Sequence, residues 1–325
     1  MSEHGTGGPT KNNNYMKKLL KISFLSLMCF LSTHPLTAQN KSNYIDTVAL
    51  RALKAFNVPG MAVAVVKDGK VVHMKGYGVA SLNTGKSVDA NTLFAVASNS
   101  KAFTAVALGI LVDEGKLSWN TRVADIIPEF RLYNSYVTED FNIKDLLCHR
   151  SGMGLGAGDL MIWPDSASFS TSEIIHNLRY LKQVSSFRTK YDYDNLLYIV
   201  AGEVVKRVSG ESWESFVESR IMKPLGMERS AASPDGLKSR ENIIDSHIEY
   251  DGKVQVVVQT LTKTANAAAG VVSSVNDMSK WVMAMLNEGV YGNNGERLFD
   301  KAVHQELWTP QTIIPVRGAT PYKTN

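Results

Sequence analysis

The chain has 325 residues, 44% of them hydrophobic and 20% charged, a size and composition that fit one large core or two lobes and exclude disorder, collagen and coiled coil. Its net charge is +4, from 35 Lys+Arg against 31 Asp+Glu. Lys11, Lys17, Lys18 and Lys21 face only Glu3 in residues 1–38, which leaves +1 for the rest, so there is no electrostatic footprint for nucleic acid.

In chain order, a polar stretch at 1–15 precedes Met16-Lys17-Lys18-Leu19-Leu20-Lys21, a basic run, and then the apolar Ile22–Leu31. Thr37-Ala38 ahead of Gln39-Asn40 supplies a small residue at a polar boundary. This is the pattern of a secretory signal peptide over about 16–38, with residues 1–15 as a start-site extension. The apolar run is about half of the ~20 residues that a membrane span needs. Cys29 follows Met28 rather than a small residue, which argues against a lipoprotein anchor. The expectation is therefore a secreted or periplasmic protein whose mature domain covers 39–325.

Ile45 to Phe56 has apolar residues at helical spacing. Met61–Val66 is a continuous apolar run and reads as a strand buried on both faces. Lys67-Asp68-Gly69-Lys70 then predicts a tight hairpin into Val71–Met74. From about 91 the pattern turns helical. Phe103, Val106, Ala107, Ile110 and Leu111 share one face, ending near Gly115. Leu196, Leu197, Val200, Val204 and Val208 repeat the theme up to Gly210. A third helix is predicted over Val275 to about Leu286, with Ser274 and Asp277 as its capping pair. Strands first and helices in the middle predict an α/β lobe with a helical lobe over about 91–225.

The chemistry is carried by few residues. Ser98-Asn99-Ser100-Lys101 is an S-x-x-K tetrad opening a helix, so Lys101 sits one turn from the Ser98 hydroxyl. A serine hydroxyl needs an adjacent base to become a nucleophile. Tyr193-Asp194-Asn195 precedes the next long helix, where a phenol can shuttle a proton and an amide can hold a carbonyl. A second Y-x-N, Tyr291-Gly292-Asn293, lies in a Gly/Asn turn without that context. Cys148 would be the one cysteine left after signal removal, so the mature chain has no internal disulfide, and its apolar surroundings predict a buried small hydrophobe. The histidines are scattered and form no metal-ligand pair.

These motifs, in this order, resemble those of the serine β-lactamase and penicillin-binding-protein-like hydrolases, in particular the group holding class C β-lactamases, D-Ala-D-Ala carboxypeptidases and related esterases. Phe94–Ala105 is similar to the family's nucleophile helix, Gly115–Ser118 with Ile127–Phe130 to the segment after it, and Leu146–Met153 to its L-L-x-H-x-S-G loop. Ala268–Ser274 with Asp277-Met278 is similar to its A-G-G-x-x-S-S…D-M segment, with Val271 in place of the second Gly. The resemblance runs from about 45 to 310.

It implies a β-lactamase/transpeptidase-like α/β (α+β) fold, an antiparallel sheet flanked by helices plus the helical lobe. It implies Ser98 as the acylated nucleophile, Lys101 as its activating partner, Tyr193 as general base and Asn195 as the contact to a substrate amide. His149 is tempting as a base, but the family's loop gives it a structural role. Neither cofactor nor metal is implied. The substrate is a small molecule or a peptidoglycan peptide: a β-lactam, a D-amino-acid peptide or an ester. The alternative is a penicillin-binding or peptidoglycan-sensing module that acylates without turnover. The family's third motif, K-[ST]-G or H-x-G on an edge strand, has no counterpart in 226–325 beyond Lys323-Thr324-Asn325, which lacks the glycine. The expectation is that the motif and the last strands lie beyond residue 325, and that the chain as given is impaired.

Overall fold

The computed structural model describes residues 35–163, 167–258 and 263–314, with side chains from Tyr44 onward. The basic and apolar segments of the expected signal peptide, and Lys323-Thr324-Asn325, lie outside the described residues. The backbone divides into two compact units, one ending at Phe56 and one starting at Asn57. The described part of the first is a single helix, α1 (Pro35–Ala55), which contains the helical spacing read from Ile45 onward.

The second unit begins with β1 (Gly60–Lys67) and β2 (Lys70–Gly78). Lys67 pairs with Lys70 across a two-residue turn, and both turn residues have positive φ, Asp68 at 51° and Gly69 at 69°. That is the type I′ geometry that Asp-Gly favours, because its twist matches that of the strands. A register shift between Val65 and Val66 adds a bulge. Next come β3 (Phe94–Ala95), α2 (Ser100–Asp113), α3 (Val123–Ile126), α4 (Ser135–Asp140), α5 (Ile143–Leu147), α6 (Thr171–Asn177), α7 (Leu196–Ser209) and α8 (Trp213–Val217). The chain then forms β4 (Ser246–Tyr250), β5 (Lys253–Val257), α9 (Asn266–Ala269), β6 (Val272–Ser273), α10 (Val275–Leu286), β7 (Val290–Tyr291), β8 (Glu296–Arg297) and α11 (Lys301–Trp308). Among the described residues the strands pair antiparallel, as β1-β2, β3-β6, β4-β5 and β7-β8.

Helix ends follow local chemistry. Gly115, at φ 67°, closes α2 by donating to the Val112 carbonyl (2.9 Å), while the Lys116 N–H reaches Leu111 (3.0 Å). This is the Schellman pattern, which needs a left-handed residue at that position. Gly210 (φ 80°) ends α7 with a bond to the Lys206 carbonyl. Ser274 caps α10 by accepting from the Asp277 N–H. α2 and α7 pack on each other, with α5 and α9 against α7 and α9 also against α2. Phe103, Leu108, Leu111, Leu196, Val200 and Val204 fill the core between them. Phe103 stacks on Trp281 of α10 at 4.0 Å.

Two expectations are corrected. Met61–Val66 is half-buried rather than buried on both faces, because β2 is the only strand beside β1 among the described residues, while α10 packs against the hairpin. Cys148 is half-buried rather than fully buried, at the end of α5. Its thiol is still pushed up to about 11, first by burial, so it stays protonated at neutral pH.

Candidate active site

The site begins where β3 meets α2. β3 pairs with β6, and the Val96 N–H donates to the Val271 carbonyl (2.9 Å). The chain then turns through Ala97, a non-glycine residue at φ 47°, into a single 3₁₀ turn over Ala97–Asn99. A left-handed conformation at a residue with a Cβ costs roughly 1–2 kcal/mol. Ser100, fully buried, holds this turn from beneath: its hydroxyl donates to the Ala97 carbonyl (2.7 Å) and accepts the Val271 N–H (2.9 Å). The consequence is that Ser98 projects outward and is exposed, while Lys101 points inward and is buried.

Lys101 Nζ donates to Ser98 Oγ (3.2 Å), Asn195 Oδ1 (2.9 Å) and the Ala268 carbonyl (3.0 Å). An ammonium has three donors, and three acceptors surround this one. The same nitrogen lies 4.8 Å from the Tyr193 ring centre and 5.2 Å from that of Tyr198. Tyr193 Oη stands 2.7 Å from Ser98 Oγ, with the phenol donating. All four residues singled out from the sequence, Ser98, Lys101, Tyr193 and Asn195, are therefore in one hydrogen-bonded group. Tyr291 belongs to β7, in a separate hairpin.

The Tyr193–Asn195 turn is held from behind. His149, at φ 54°, stacks on the Tyr193 ring at 4.4 Å and accepts the Asp194 N–H on Nδ1 (3.1 Å). Burial, and then the Lys101 charge, lower its pKa to about 4, so the ring is neutral at pH 7 with its proton on Nε2. That arrangement makes it a support for Tyr193. Its loop is fixed in turn by Asp145, fully buried, which ion-pairs Arg150 (2.8 Å) and Arg188 (2.7 Å).

Three further groups escape sequence reasoning. Ser100 looks like a filler position inside S-x-x-K. Asp194 is fully buried; its Oδ1 accepts the Leu196 and Leu197 N–H groups (2.9 and 3.3 Å) that open α7, and its Oδ2 has no partner. Burial pushes this carboxyl up to about 7 against those two bonds. Asp159 accepts from Asn195 Nδ2 on both carboxylate oxygens (3.2 and 3.0 Å). It follows a run of alternate glycines, Gly152, Gly154, Gly156 and Gly158, all at positive φ, and that run is the signal that could have flagged it. Gly156 N–H also ties this loop to the Tyr193 carbonyl (2.8 Å). Among the described residues no group of His, Cys, Asp or Glu could hold a metal ion.

A family model described as Beta-lactamase matches residues 47–322. The chain belongs to the beta-lactamase family. Its relatives include the unguisins hydrolase ungD of Aspergillus violaceofuscus, 32% identical over 247 residues, covering 73% of this chain and 43% of that protein. The unguisins hydrolase ungD' of Aspergillus campestris is 31% identical, covering 82% of this chain and 50% of that protein. Protein flp of Staphylococcus aureus is 26% identical, with 75% and 48% covered. The chain thus spans about half the length of these relatives. Among solved structures, the octameric penicillin-binding protein homologue from Pyrococcus abyssi aligns with a TM-score of 0.72 at 23% identity, over 85% of this chain and 61% of that one. A class C beta lactamase aligns at 0.67 and 24%, over 85% and 70%. At these identities the structural likeness establishes the beta-lactamase/transpeptidase-like mixed α/β fold.

Proposed function

We propose that this beta-lactamase-family protein is an exported serine hydrolase that works through an acyl-enzyme on a β-lactam, a D-amino-acid peptide or an ester. The observation that carries the reading is the position of Ser98 Oγ, 3.2 Å from Lys101 Nζ and 2.7 Å from Tyr193 Oη. A hydroxyl flanked by a cation and a phenol has what attack on a carbonyl requires: somewhere for its proton to go and a charge to offset the change. In the reactive form Tyr193 has given up its phenolic proton to solvent, the Lys101 ammonium 4.8 Å from its ring centre offsets the phenolate charge, and the contact between the two oxygens runs the other way. Tyr193 takes the Ser98 proton as Oγ bonds to the carbonyl carbon, and the Lys101 ammonium offsets the charge. Tyr193 then returns the proton to the leaving nitrogen or oxygen as its bond to the acyl group breaks. Water attacks the acyl-Ser98 ester by the same route and frees the acid. Asn195, held beside Lys101, is the residue we assign to contact a substrate amide. The names of the two Aspergillus relatives support hydrolysis as the net reaction.

The test is intact mass spectrometry after exposure to a fluorophosphonate or a penicillin, with peptide mapping. The adduct is expected on Ser98 and absent from S98A; an adduct that persists in S98A overturns the assignment. Product beyond one equivalent supports the hydrolase. A stable adduct without turnover supports a penicillin-binding or peptidoglycan-sensing module instead.

A further inference from the structure

Asn195 lies between two groups of opposite hydrogen-bonding character. On one side the Lys101 ammonium can only donate, and it meets Oδ1 at 2.9 Å. On the other the Asp159 carboxylate can only accept, and it meets Nδ2 at 3.0 and 3.2 Å. An amide can rotate by half a turn with little change of shape, so its partners decide which end faces which. Here both partners demand the same orientation. Were the amide reversed, Nδ2 would face the ammonium and Oδ1 the carboxylate, two repulsive contacts in place of two attractive ones.

We infer that Asp159 is a positioning residue for acylation: it locks the Asn195 amide so that its oxygen holds Lys101 in contact with Ser98. The inference rests on the acyl-enzyme reading for its kinetic consequence, though not for its geometry. Asp159 touches neither Ser98 nor Lys101 through any hydrogen bond; it acts through Asn195. Its own placement is firm. Gly158, at φ 76°, turns the chain into the 3₁₀ turn Asp159–Met161, and the Asp159 N–H bonds to the Gly156 carbonyl (3.1 Å). Around the pair, Lys101 interacts favourably with Asp194, and Asp194 and Asp159 share an unfavourable carboxylate interaction. A neutral residue at 159 would relieve the second and lose the lock.

The test pairs D159N with D159E. Asparagine keeps the shape and can present either end to Asn195, so the lock is lost; glutamate keeps the acceptor. D159N is expected to slow fluorophosphonate labelling of Ser98, and kcat for a p-nitrophenyl ester, by roughly 10- to 100-fold, the scale of a small misplacement of reacting groups. KM should rise as well, because Asn195 is also the contact proposed for a substrate amide, so the labelling rate of Ser98, which needs no such contact, is the readout of positioning. D159E should recover part of the loss. In an N195A background D159N should change nothing further, since the residue acts through Asn195. Labelling of D159N at the wild-type rate, or a full additional loss in N195A, overturns the inference. A second readout is independent of turnover: the Asn195 side-chain NH₂ resonances, assigned by their absence in N195A. They are expected to be shifted and slow to exchange in the wild type and to change in D159N. If the wild type fails to label at all, the acyl-enzyme reading falls, and unchanged Asn195 resonances in D159N still decide against the lock.

Discussion

Asp194 sits between Tyr193 and Asn195, yet its side chain turns away from Ser98 into the protein and caps the N–H groups that open α7. Its folded-state pKa is raised from 3.8 to about 7 by burial. A group raised in this way adds stability that is fully present below the unfolded pKa and is lost as pH rises through the folded one. His149, lowered to about 4, has the opposite sign: its neutral burial costs stability as pH falls below the unfolded value of 6.5. A comparison with D194N isolates the first effect, because both proteins keep His149 and asparagine still accepts the two N–H bonds. In urea titrations the wild type and D194N are expected to be closest in stability below about pH 4, and the wild type should lose ground steadily from there to about pH 7. By about pH 8 D194N should be the more stable, by upwards of about 1 kcal/mol. A gap that does not change with pH would show that Asp194 is not the buried, uncompensated carboxyl described.

At the level of elements, two glycines with like backbone angles separate two kinds of constraint. Gly115 (φ 67°) ends α2 in open space, with nothing within 4 Å of a Cβ. Gly158 (φ 76°) is walled in: a Cβ there would lie 2.5 Å from Leu196 Cδ1, 2.9 Å from Met161 Cε and 3.0 Å from Leu181 Cδ1. G115A should cost about 1 kcal/mol, the left-handed penalty alone, and leave Ser98 labelling unchanged. G158A adds overpacking of roughly 1–3 kcal/mol and should slow labelling as well, because it displaces the start of the Asp159 turn. Denaturation and labelling on the same samples check both; equal effects would remove the distinction. The contrast also marks what the sequence makes legible. The Asp68-Gly69 turn, the stops at Gly115 and Gly210, the Ser274 cap and the Ser98–Lys101 pairing are written within a few residues, so they can be read directly. Asp159 and Asn195 are 36 residues apart and meet only through the tertiary fold, so their contact has no local signature. The apolar run in β1 misleads for a related reason: a strand's composition permits two-face burial but does not say how many neighbours the strand has.

For the whole molecule, export makes a direct prediction. If the basic and apolar segments over about 16–38 act as a signal peptide, protein expressed in a Gram-negative host should have its N-terminus just after Ala38, within the first turn of α1. N-terminal sequencing that finds Met1 or Met16 instead refutes export. The hydrogen bonds of Lys101 bear on the same journey. They reach Ser98 three residues away, Asn195 at a separation of 94 and Ala268 at 167. Synthesis delivers the serine and lysine early and the Ala268 carbonyl late, and a domain generally folds as a unit. If Ser98 is the nucleophile, it stays an ordinary alcohol on a loose chain until that last partner arrives. A protein threaded unfolded across a membrane would therefore carry no armed nucleophile in the compartment where it is made. On the acyl-enzyme reading, reactivity waits for the domain to close, because one partner of Lys101 lies 167 residues further along the chain.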